Sequence, residues 1–105
     1  MSAFEDREKG FERKFANDQE LEFRAQARGA RMLGEWAARK MGLEDVDEYA
    51  KAVVRSELDH GAEEDVLRKV VQDLAGAGFE TRAGEVRGKL DEFLAVAREQ
   101  VKAGE

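Results

Sequence analysis

A chain of 105 residues with 42% hydrophobic and 40% charged side chains holds enough apolar material for one domain with a modest core. It has no cysteine, which removes disulfide and thiolate chemistry and fits a reducing compartment. A net charge of −6 excludes the basic surface that nucleic acid requires, and no apolar run approaches the ~20 residues that cross a bilayer.

The absence of proline permits long helices, because no residue removes a backbone N–H from the interior of a turn. Ten glycines are then the strong punctuation. Residues 1–10 are charged and lack the apolar stretch of a secretory signal, so a cytoplasmic protein is expected. The acidity is uneven. Residues 43–65 carry 9 acidic and 2 basic side chains, whereas 1–42 carry 8 and 9, and 66–105 carry 7 of each. The stretch 44–65 reads as a solvated face with acids at helix N-termini, or as a dedicated binding surface.

The first element, residues 1–17, is the unusual one. Phe4, Phe11 and Phe15 are three of the six phenylalanines, and everything between them is charged or small. Spacings of seven and four residues put them on one side of a helix. An isolated helix of fewer than ~12–15 residues is marginal in water, and Gly10 weakens this one further. The segment is therefore expected to be flexible or frayed alone. It either extends the first helix or docks as an amphipathic helix in a partner's groove.

The next helix is predicted over 18–41, with Leu21, Ala25, Met32, Leu33, Trp36, Ala37 and Met41 lining its inner side and Gly42 ending it. Gly29 and Gly34 inside it each cost about 1 kcal/mol relative to alanine unless they admit a neighbouring helix. Arg24, Arg28 and Arg31 share a face, as a solvated edge or as contacts for acidic groups.

A second helix is predicted over 46–59, with Val46, Tyr49, Ala50, Val53, Val54 and Leu58 inward and Asp45 or Asp47 as its cap. A third covers 63–76 through Val66, Leu67, Val70, Val71 and Leu74, with Glu63, Glu64 and Asp65 in its first turn. The fourth covers 82–103. Val86, Leu90, Phe93, Leu94, Ala97 and Val101 make one stripe, Thr81 is the expected N-cap, and Gly76 and Gly78 form the preceding connection. No segment alternates like a strand. The expected fold is all-α: a four-helix bundle over 18–105 preceded by the 1–17 partner-binding segment.

Catalytic signals are missing. His60 is the only histidine and reads as a helix-end residue rather than a metal ligand. Asp45, Asp47 and Glu48 lack the spacing of a calcium loop, and there is no phosphate loop, dinucleotide fingerprint or nucleophile–base set. Trp36 fits the core better than a binding platform. The expectation is a protein-binding molecule without catalytic residues, metal or cofactor, monomeric when free.

Several blocks carry a resemblance. Phe4-Glu5-Asp6-Arg7-Glu8, Phe11-Glu12-Arg13-Lys14-Phe15-Ala16-Asn17-Asp18, then Phe23, Ala27-Arg28, and Leu33-Gly34-Glu35-Trp36-Ala37-Ala38 resemble the zeta subunit (ATPase inhibitor) family of alphaproteobacterial F-type ATP synthases. The likeness extends to the chain length, the acidic centre and residues 65–70. It implies a four-helix bundle without enzymatic activity, bound at the inner membrane through the ATP synthase. Its N-terminal segment would insert into the catalytic head and block rotation in the hydrolytic direction. That segment maps onto residues 4–18, with Phe4, Phe11 and Phe15 as anchors and Arg7, Glu12 and Lys14 as orienting charges. One departure concerns the positions after Ala27-Arg28, where the family pattern continues with Arg and Asn and this chain has Gly29 and Ala30. It implies the loss of polar contacts where segment meets bundle. The alternatives are an adaptor using the acidic 44–65 face, and a weak adenine-nucleotide-binding regulator.

Overall fold

The computed structural model describes the backbone of residues 3–60 and 63–105 and the side chains of residues 17–59 and 63–105. Four helices follow one another: α1 (Ala3–Met41), α2 (Val46–His60), α3 (Glu63–Gly76) and α4 (Ala83–Lys102). The predicted starts and ends fall within a residue or so of these, except that α1 continues unbroken to Ala3. The expected fraying falls on residues 1–17, of which only Asn17 has a described side chain.

Local chemistry explains the helix ends. Gly42 at φ 73° closes α1, with its N–H on the Arg39 carbonyl (3.1 Å) and the Leu43 N–H on Ala38 (3.0 Å). Gly78 at φ 91° repeats this arrangement after α3, where Gly78 bonds Ala75 and Phe79 bonds Leu74. Glycine reaches this left-handed conformation without the steric cost a Cβ imposes. Asp45 caps α2 by accepting the Glu48 N–H at 2.9 Å, which decides between the two candidate caps. The Thr81 cap is corrected. Arg82 holds the N-cap position with no side-chain bond, and the buried Thr81 Oγ1 finds no protein partner.

Short connections make sequential helices antiparallel neighbours. Around the bundle α1 packs on α2, α2 on α3, α3 on α4 and α4 on α1, with α2 and α4 on opposite corners. The centre is closed by Leu33, Val53, Val66, Val70, Leu74 and Val86, all at most 1% exposed. Each such side chain contributes about 1.5–3 kcal/mol on full burial. The half-buried Trp36 packs against this core with Lys40 over its ring, in line with a structural role.

Gly29 and Gly34 mark close helix contacts. A Cβ on Gly34 would lie 2.8 Å from the Ala50 Cα, and one on Gly29 would lie 2.6 Å from Leu94 Cδ2. Ala30 beside Gly29 is 1% exposed. Gly29 and Gly34 are therefore helix-packing positions, and Gly29-Ala30 forms part of a packed face with α4.

Leu58, expected inward, is 50% exposed. The inward stripe of α2 steps through Val46, Ala50 and Val53, and the same step lands on Glu57. Leu58 is one residue further round and faces out.

Candidate functional site

The helices differ in reach. At one end of the bundle the last turns of α4, through Arg98, Val101 and Lys102, meet α1 at Asp18, Leu21, Glu22 and Ala25. Residues 3–17 of α1 lie upstream of that meeting, about 22 Å of helix at 1.5 Å per residue. Each predicted contact residue falls on this extension: Phe4, Arg7, Phe11, Glu12, Lys14 and Phe15. Their side chains lie outside the described residues.

The root of the extension is firmly held. Ala25, Ala97 and Val101 form a small buried cluster with Leu21 against it. Beside them Arg98 clasps Glu22, with Nε 3.2 Å from both carboxylate oxygens and Nη2 2.8 Å from Oε1. The Arg98 hydrogen bonds hold the Glu22 carboxyl below its ordinary pKa, against an opposing effect of burial. Arg24 pairs with Glu20 at 2.7 Å one turn away.

The arginine face is occupied from within. Arg24 bonds Glu20, Arg28 reaches Gln100 Oε1 (3.3 Å) and the Glu105 carbonyl (2.8 Å), and Arg31 joins Glu35 and Asp47. Much of the acidic stretch is likewise engaged. Asp47 pairs with Lys51 and Arg31, and these partners, Lys51 foremost, hold it below its usual range. Glu64 pairs with Arg87 at 2.7 Å and Asp65 with Arg68 at 3.3 Å. Between α2 and α3, the Tyr49 hydroxyl donates to Asp73 (2.8 Å), which Lys69 also contacts (3.1 Å). Burial first, then Asp73, raises the phenol's pKa, so Tyr49 stays neutral.

Two features escaped the sequence reading. Glu57 sits on the inward stripe of α2 beside Gln26, Glu63, Leu90 and Leu94, with Oε2 buried and unpaired. Burial, with Glu63 nearby, raises its pKa. Spacing along 46, 50, 53 and 57 was the signal for it. Phe23 is 56% exposed on α1, one turn beyond Gln26. The signal there was its place four-plus-four residues after Phe15. The His60 side chain lies outside the described residues.

Among the described residues no three His, Cys, Asp or Glu side chains converge as a metal site, and no helix is long and apolar enough to cross a membrane. The geometry is that of a bundle carrying a long helical extension. No curated protein matches the chain. The family model described as ATPase inhibitor subunit zeta matches residues 1–100, both bundle and extension, and the chain belongs to that family.

Proposed function

We propose that this chain inhibits ATP hydrolysis by an F-type ATP synthase by inserting residues 1–17, the start of α1, into the catalytic head, with 18–105 as the bundle that carries them. The observation that carries the reading is the reach of α1, about 22 Å of helix beyond its last described contact with α4. The family match supports the inhibitory role.

Inhibition in this scheme is steric and stoichiometric. Phe4, Phe11 and Phe15 bury an apolar face between head subunits. Arg7, Glu12 and Lys14 pair at the rim, where charge affects association more than final affinity. Ordering the segment on binding offsets part of the gain. The chain performs no chemistry of its own, and the ATP synthase holds it at the membrane surface. The internal pairing of Asp47, Glu64 and Asp65 leaves the acidic-face adaptor with less to offer.

The test is ATP hydrolysis by the isolated head with the full-length chain and with a chain starting at Asp18. Full-length protein should inhibit and the shortened chain should not, while both remain helical by circular dichroism. Equal inhibition by the two would show that residues 1–17 are not the inhibitory element.

A further inference from the structure

Phe23 is the most exposed large hydrophobic residue among those described, at 56%. Its position is not random along α1. Residues 11, 15, 19 and 23 form one i±4 ridge of a continuous helix, and phenylalanine holds three of the four places. Phe23 thus extends the ridge of Phe11 and Phe15, which winds about 80° round the helix between Phe15 and Phe23, onto the part of α1 that the bundle grips.

The surroundings suit a docking anchor. Its neighbours along α1 are charged and paired: Glu22 with Arg98 of α4, and Arg24 with Glu20. An apolar centre inside a charged rim is the usual anatomy of a binding hot spot. No described residue from 17 to 41 is a proline or a non-glycine at positive φ, so α1 has no built-in bend there. A helix inserted along its own axis brings this end of the bundle up to the mouth of the groove it enters.

We infer that Phe23 is a further anchor for the catalytic head, seated at the apolar mouth of the groove that takes residues 1–17, so that the docking surface runs from the N-terminal segment onto the bundle. This rests on the proposed function and extends it to a residue inside the bundle. The occupant of the Phe23 surface is the head itself, because the surface continues the aromatic row of the insertion.

The experiment measures half-inhibition of ATP hydrolysis by the isolated head for full-length wild type, Phe23→Ala, Phe23→Leu and Leu43→Ala. Leu43 is a similarly exposed apolar residue (41%) in the turn at the opposite end of the bundle. Phe23→Ala should raise the half-inhibitory concentration about tenfold or more, Phe23→Leu should recover most of it, and Leu43→Ala should match wild type. A benzoylphenylalanine at position 23 should photo-crosslink to a head subunit, a reading that does not depend on the stability of the alanine variant. If wild type inhibits and Phe23→Ala inhibits equally, or if position 23 crosslinks only to a second copy of this chain, the inference fails and the proposed function stands. If wild type does not inhibit, both fall.

Discussion

Gly34 and Gly88 both stand inside long helices, yet substitution to alanine should move stability in opposite directions. A Cβ on Gly34 meets the Ala50 backbone at 2.8 Å and Val53 at 3.2 Å, and backbone cannot rotate away. Overpacking of this kind costs about 1–3 kcal/mol, against roughly 1 kcal/mol regained from helix propensity. Gly34→Ala should therefore lower the melting temperature. At Gly88 nothing lies within 4 Å of the added atom, so only the propensity gain of about 0.5–1 kcal/mol remains. Thermal denaturation of the two variants beside wild type checks both signs. A rise in melting temperature for Gly34→Ala would mean that α1 and α2 are not in such close contact.

At the scale of the helices, α2, α3 and α4 were legible because their apolar spacing, glycine stops and acidic first turns agree. The miss at Thr81 has a simple cause: a threonine before a helix is a cap only if the backbone lets its hydroxyl reach an N–H, and here that place falls to Arg82. Leu58 was misplaced because a leucine outweighed a glutamate, although the 46-50-53-57 step had fixed the inward stripe. For the candidate site, the spacing of Phe4, Phe11 and Phe15 could be read directly, whereas the exposure of Phe23 depends on which side of α1 is covered by α4, whose last turns run past it to Asp18. The single-helix form of α1 supplies its own prediction. Replacing Asp18 and Gln19 with two glycines leaves the described core untouched but removes the stiff link between extension and bundle. Inhibition should weaken while the melting temperature of the bundle stays within a few degrees of wild type. Undiminished inhibition would show that the extension acts as a tethered peptide and that the rigid reach of α1 is not used.

The molecule as a whole carries opposing responses to pH. Glu22 and Asp47, held below their ordinary values by Arg98 and by Lys51, contribute stability that is present above the unfolded pKa and lost as pH falls through the folded one. Glu57 does the reverse. Its pKa is raised above the ordinary 4.5 by burial and by Glu63, so its contribution is fully present below 4.5 and lost as pH rises through the folded value. Gln26 from α1, Glu63 from α3 and the apolar Leu90 and Leu94 from α4 surround it, so no cation among these neighbours compensates the ionised form. That charge lies at the same end of the bundle as the root of the α1 extension, level with Gln26 and one turn from Phe23. Glu57→Gln should therefore raise the melting temperature at pH 7 and leave it nearly unchanged near pH 4, so the variant-minus-wild-type difference grows between about pH 4 and 7. Melting curves across that range read the difference directly, cancelling the titrations of Glu22 and Asp47 that both proteins share. A difference that does not vary with pH would mean that Glu57 titrates in the folded bundle as it does in the unfolded chain. A growing one would show that ionising Glu57 between α1, α3 and α4 costs the folded bundle stability.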